Sequence, residues 1–436
     1  MGGQRRGAAE GPAPAPSGVD WKRNLGAIWV AEFFAMFGFS FAMPFLALYL
    51  HQDLGVHDKH QLSLWVGVAS GASGLAMAVA GPIWGGLADR HGRRPMLIRA
   101  MLGGAVCIGL LAFVRAPWEL VALRVAQGLT SGTVAAATAL VASETPRRRV
   151  AAALGILAAG FALGEAIGPV AGGLATAFFG FRPVFLGTTA LLLLAILPVL
   201  LVVRESPRPA PAPAPVEGAR RRPRTGLAAI PRAVLLTLLA LVIAQSLVQF
   251  AYVGSQQMVS LRLIAIVPGD PNLATGIAFA CAGVATAIAA SMYGPLSRRF
   301  GYRRLAGSAA VLFGLAILVA ALAPSLAPLV FGVAAYGFFF GCVNPSLSTL
   351  IGLHTPRAVQ ARVYGVSGSA TSVGWSTGPL LAGVVAAAFS PQAAMLVTAA
   401  AALVPAAVVW FAVRDPGDAE GGRERASGTD PVPESS

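Results

Sequence analysis

Charge is scarce in this chain, and lysine is almost absent. Only 11% of the 436 residues are charged, against about 25% in soluble domains. Lys22 and Lys59 are the only lysines. A phosphate-cradling GxxxxGK[ST] loop needs a lysine near its end; neither lysine ends one, so a pump driven by nucleotide hydrolysis at such a loop is excluded. Cysteine is equally sparse. Cys107, Cys281 and Cys342 all sit inside apolar runs, with neither metal-ligand spacing nor a disulfide framework. No nucleophile constellation stands out, so no catalytic residue, no metal ligand and no enzyme activity is expected. His51, His57 and His60 share one polar segment and read as a solvated loop.

What the chain has instead is apolar surface. Hydrophobic residues make up 56% before 51 glycines are counted, and the mean hydropathy is +0.71. A soluble fold of this length cannot bury so much, and disorder needs the opposite composition. The basic excess, 32 Lys and Arg against 18 Asp and Glu, could suggest a nucleic-acid partner. Here the basic residues lie between long apolar runs rather than on one face, so none is expected. The reading is an all-α polytopic membrane protein with the lipid bilayer as its surroundings.

Twelve runs approach the ~20 residues that cross a ~30 Å hydrocarbon core: 24–50, 62–88, 96–114, 118–142, 150–178, 184–203, 233–254, 275–296, 305–323, 328–352, 362–389 and 393–413. No cleavable signal is expected ahead of the first. With the N-terminus inside, 27 of the 32 basic residues fall on the inner side. Lys59, Arg115, Arg182 and Arg262 fall outside, and Arg124 lies within a run. That bias predicts a cytoplasmic membrane protein with both termini in the cytosol. The expected organisation is a disordered tail (1–23), a six-helix bundle (24–203), a Pro/Arg-rich cytosolic linker (204–232), a second six-helix bundle (233–413) and a disordered tail (414–436). Alternating Ala and Pro in the linker favour an extended spacer, whose Arg220–Arg222 and Arg224 suit anionic headgroups.

The two halves repeat each other. GGLADRHGRR at 85–94 returns as GPLSRRFGYRR at 294–304. The small residues Gly67, Gly71, Gly74, Ala78, Gly81 and Gly85 return 209 positions later as Gly276, Ala280, Gly283, Ala287, Ala290 and Gly294. Gly164, Gly168, Pro169 and Gly173 return at Gly374, Gly378, Pro379 and Gly383, 210 positions on. A tandem duplication of a six-helix unit is predicted, giving two pseudo-symmetric bundles. Small-residue seams let helices approach where lipid supplies no hydrophobic drive. Helices two and eight, with the Gly-Pro helices five and eleven, are therefore the expected sliding contacts between halves.

These motifs resemble those of the major facilitator superfamily. GGLADRHGRR, with Gly85, Asp89, Arg90, Gly92 and Arg93, is similar to its loop signature. Arg124, Gln127, Gly128 and Gly132 resemble its fourth-helix motif. Gly164, Gly168, Pro169, Gly172 and Gly173 resemble the fifth-helix signature of its twelve-span drug:proton antiporters. The resemblance spans about 24–413 and implies the major facilitator fold. It also implies exchange of a small-molecule substrate for protons, with no cofactor. Arg298 stands where the first copy has Asp89, so an acidic gate residue is expected in the first half only.

Charges inside the runs are few, and each costs at least ~2.5–3.5 kcal/mol at a bilayer centre. Glu165 falls near the midplane and Glu32 nearer the cytosolic edge, which makes them the candidate proton carriers. Arg124, a permanent cation, is their candidate partner. Asp89 lies in a cytosolic turn, where it could latch a neighbouring helix. Gln245, Gln249, Tyr252 and Gln256 share one face of the seventh helix at i, i+4, i+7 and i+11, a spacing that suits a water-filled cavity or a bond to a neighbouring helix. Gln127, Tyr336, Asn344, Trp375, Phe37 and Phe39 are further cavity candidates. An aromatic, weakly polar cavity suits bulky amphipathic compounds. The expected function is proton-coupled export by a monomer. The rivals are a symporter or facilitator of a small metabolite, and a non-transporting receptor with this fold.

Overall fold

The computed structural model describes residues 20–146, 148–206, 232–269, 271–356 and 359–413. The bodies of both expected tails and of the linker lie outside the described residues. Described secondary structure is helical throughout. The first half holds α1 (Trp21–Ala42), α2 (Leu46–Gln52), α3 (Lys59–His91), α4 (Arg93–Leu111), α5 (Pro117–Thr130), α6 (Thr133–Glu144), α7 (Val150–Phe179) and α8 (Phe181–Leu201). The second holds α9 (Arg232–Ile266), α10 (Asn272–Phe300), α11 (Tyr302–Leu322), α12 (Leu326–His354), α13 (Gln360–Ala388) and α14 (Pro391–Ala412).

The fourteen described α-helices make twelve crossings because two crossings are broken. Pro44 has no N–H to give the helix, and the first crossing passes from α1 to α2 through a 3-10 turn at Met43–Phe45. The fourth crossing breaks at Ser131 and Gly132, where Gly132 adopts φ +125°. Trp84 and Arg99 cover that break: the Trp84 indole N–H donates to the Leu129 carbonyl, the Arg99 guanidinium donates to that of Ser131, and Arg99 lies 3.5 Å over the Trp84 ring. Eleven described crossings are long and apolar enough to span a membrane on composition alone. The remaining one, α13, has the length but carries four serines and two threonines; it packs against α3 and α9.

Local chemistry fixes the ends. Asp20 caps α1 by accepting from the Lys22 and Arg23 amides, and Asp58 caps α3 by accepting from Gln61. The α3–α4 and α10–α11 turns each pivot on one glycine at positive φ, Gly92 (+102°) and its repeat Gly301 (+78°), a conformation L side chains resist. Next to Gly92, the distant Glu205 carboxylate accepts from the amides of Arg93 and Arg94. It serves the orphan donors of α4.

The seventh crossing corrects the sequence reading. Sequence ends it at 254 and puts Arg262 in an outer loop. In the structure α9 runs on to Ile266, and Arg262 is buried, donating to the Ala323 carbonyl at 2.7 Å. The polar run around Ser255–Gln257 looked like the end of a span because these residues face the interior of the bundle rather than lipid.

Candidate functional site

The Gly-Pro helices carry two kinds of glycine, and the structure separates them. Gly164, Gly168 and Gly172 on α7 face α1 within the same half. A Cβ built on Gly168 would stand 2.7 Å from the Phe37 carbonyl and 2.8 Å from Ser40. One turn below, Gly160 meets Trp29, which begins a ladder of Trp29, Phe33, Phe37 and Phe41 along α1. Gly374 and Gly378 repeat this pattern against Ser246 and Phe250 of α9. The expectation that the Gly-Pro helices slide between halves is thus narrowed: Gly168 takes no part, because its close neighbours belong to its own bundle.

Contact between halves falls to other glycines. Gly173 meets Gly276 of α10, and Gly383 of α13 meets Gly67 of α3. Further along, Gly71 and Gly74 rest on Leu380 and Ser376, and Gly283 rests on Ala166. At the same end the His60 ring contacts the Ala387 carbonyl across the halves. Each seam then stops. Nothing lies within 4 Å of a Cβ built on Gly81, Gly85, Gly155, Gly365 or Gly368. The two bundles meet at the end holding Lys59 and Phe179 and part at the end holding His91 and Val150.

Between them lies a cavity of about 250 Å³. The first half contributes Met36, Phe39, Ser40, Met43, Pro44, Leu46, Ser70, Arg124, Glu165 and Pro169; the second contributes Tyr252, Val253, Gln256, Gln257, Ser260, Phe279, Ala282, Gly283 and Trp375. Of the residues singled out by sequence, Glu165, Arg124, Pro169, Phe39, Tyr252, Gln256 and Trp375 come together here. Tyr252 is held by stacking on Phe340, with ring centroids 3.8 Å apart and planes 11° apart.

Glu165, Arg124 and Glu32, the charges that sequence singled out inside the runs, have different surroundings. Glu165 is open to the cavity. Arg124 is only 4% exposed. Its Nη1 donates to Gln127 Oε1 at 2.5 Å and contacts Met43 Sδ at 3.1 Å, while Nε has no partner. Glu32 is fully buried, and neither carboxyl oxygen has a hydrogen-bond partner. Among the described residues the one ion pair is Arg182–Asp53 at 3.7 Å, outside the cavity. In this conformation Arg124 is therefore paired with neither glutamate.

The remaining candidates lie elsewhere. Gln127 is turned onto Arg124. Gln245 donates to Ser348 at 2.7 Å and, more weakly, to Asn344 at 3.5 Å, and accepts from Ser367 at 2.6 Å. It ties α9, α12 and α13 together. Gln249 buries Oε1 without a partner. Tyr336 is buried edge-on against Tyr252, and Phe37 belongs to the α1 ladder. None of these six lines the cavity. In the loop motif, Arg90 is exposed, Arg93 donates to the Ala139 carbonyl at 2.6 Å, and Gly85 is free of neighbours. Asp89 is in the last turns of α3, and its side chain lies outside the described residues. Sequence reasoning missed Met36, Ser40, Met43, Ser260 and Phe279. The first three continue the Phe39 face of α1 at helical spacing, and Ser260 continues the Gln256 stripe one turn on.

Comparison with known proteins adds an independent line. The sequence model of the Major Facilitator Superfamily matches residues 28–269 and 263–434. The Multidrug resistance protein MdtG of Dickeya zeae is 33% identical over 398 residues, covering 91% of this chain and 96% of that protein. The protein of the same name from Rahnella is 33% identical over 416 residues, covering 93% and 97%. Among solved structures, a bacterial homologue of the human lysosomal transporter Spinster, in an inward-facing and unoccupied conformation, aligns with a TM-score of 0.72. It is 18% identical and covers 90% of this chain and 96% of its own.

Proposed function

We propose that this chain, which belongs to the Major Facilitator Superfamily, is a secondary active transporter that exports small amphipathic compounds in exchange for protons. The observation that carries the reading is one cavity between two repeated bundles, holding Glu165 and Arg124 among aromatic and thioether walls. Relatives named for multidrug resistance support the substrate class. The bias of basic residues puts both termini in the cytosol of a cytoplasmic membrane, so the open end faces inward. No cofactor enters the scheme; the proton gradient supplies the energy, and the working unit is a monomer.

The geometry suits exchange. Glu165 meets the solvent-open cavity, where it can take up or release a proton as substrate leaves or arrives. Arg124, unpaired with either glutamate here, is free to stabilise a carboxylate in the alternate state. Phe39, Tyr252, Phe279 and Trp375 offer faces to an apolar body, while Gln256 and Gln257 supply a few polar contacts, the mixture usual in small-molecule sites. Met36 and Met43 adapt to differing shapes.

The test is Glu165→Gln in proteoliposomes. It should retain compound binding and abolish efflux driven by a pH gradient. Driven efflux at the wild-type rate sinks the assignment of Glu165.

A further inference from the structure

Ser260 crosses from one half to the other. It lies on α9, is 2% exposed, and its hydroxyl donates to the Pro44 carbonyl of the first half at 2.9 Å. Pro44 is the middle residue of the Met43–Phe45 turn that interrupts the first crossing. The residue before it, Met43, is the one whose sulfur contacts the Arg124 guanidinium at 3.1 Å. Arg124 is in turn steered by Gln127. A continuous line of contacts thus joins the cavity's one cation to a hydrogen bond that closes the outer end.

All four of Arg124, Met43, Pro44 and Ser260 also line the cavity. A compound bound there meets the cation, the turn and the cross-half bond together. A short 3-10 turn has poorer hydrogen-bond geometry than the α-helix on either side, and Pro44 supplies no backbone donor to lock it. It is therefore the easiest part of the first crossing to rearrange.

We propose that the Met43–Phe45 turn couples the cavity to the outer seal, with Ser260 as a positioning residue that holds the seal shut while Arg124 rests on Met43. Drawing Arg124 away from Met43 frees the turn, the Pro44 carbonyl leaves Ser260, and the outer ends part. This rests on the transport reading given above and adds the element that passes the signal.

The experiment uses spin labels at Phe179 and Leu273, exposed outer-end positions on α7 and α10, in the full chain in nanodiscs without substrate or gradient. Ser260→Ala should raise the outward-open population about two- to tenfold, the range for loss of one hydrogen bond. Met43→Leu keeps the volume, removes the sulfur contact, and should shift the distances the same way. The double variant should shift them no further than the larger single change, because both act on one turn. An unchanged distribution in Ser260→Ala overturns the proposal, as do effects that multiply independently. So does a lower melting temperature with wild-type distances, which marks Ser260 as merely structural. The distances report on the turn whether or not efflux is seen. Absence of gradient-driven efflux by wild-type vesicles would overturn the transport reading instead.

Discussion

Gly67 and Gly383 meet backbone to backbone across the two halves: a Cβ built on Gly67 would stand 2.7 Å from the Cα of Gly383. Gly276 and Gly173 make the repeat-related contact, with the corresponding Cβ 2.7 Å from the Pro169 carbonyl. These two points, on opposite flanks of the cavity, set how closely the bundles approach at the sealed end.

Filling either point should therefore act as a wedge. Gly67→Val or Gly173→Val is expected to fold, because each half keeps its own core, yet to populate the state in which that end is open. Spin-label distances there should lengthen. Gly168→Leu should behave differently. Its close neighbours are Phe37, Ser40 and Phe41 of the same bundle, so overpacking costs about 1–3 kcal/mol of that bundle's stability. Lower expression and a lower melting temperature are expected, with no shift in conformational balance among the molecules that fold.

The repeat, read as a run of letters, has a structural meaning sequence alone did not supply. Arg94 donates to the Val199 and Leu200 carbonyls in the last turn of α8. Arg303, 209 positions on, donates to the Val409 and Trp410 carbonyls in the last turn of α14. The repeat-matched arginine of each loop motif, Arg94 and Arg303, thus serves orphan carbonyls and the negative end of a helix dipole. Arg94→Ala and Arg303→Ala should each lower stability by about 1.5–3 kcal/mol, as lost bonds from a charged donor do, while transport per folded molecule is retained. Thermal unfolding in detergent beside flux in vesicles separates the two quantities.

Crossings, repeat and charged centre were legible because each depends on a local or periodic signal. Apolar runs of membrane length, a fixed offset of glycines and a costly intramembrane charge are visible in one dimension. What was not legible depends on which way a side chain turns. Gln245 and Gln256 lie on one stripe of α9, yet Gln245 is consumed by Ser348 and Ser367 while Gln256 reaches the cavity. The two glycine sets of α7 differ by one residue, Gly172 against Gly173, and that step decides whether a contact lies within a half or between halves. The broken first crossing also hid Met43, since nothing in a stretch of apolar letters says that a turn there touches Arg124, and ending the seventh run at 254 left Ser260 outside it.

Glu165 and Glu32 make the last contrast, and it is a chemical one. Both are intramembrane carboxyls in the first half, but only Glu165 opens into the cavity; Glu32 is fully buried. An apolar carbodiimide, which must reach a carboxyl to convert it, should modify Glu165 and leave Glu32 untouched while the protein holds this conformation. A transported compound in the cavity should slow that modification by occupying the same space. Variants wedged open at the sealed end, such as Gly67→Val, should alter the rate at Glu165 because its access then comes from the other side. Peptide mapping by mass spectrometry reads both sites in one digest. Equal modification of Glu32 would mean that the seal around it opens readily in this state, and the division of labour between the two glutamates would have to be redrawn.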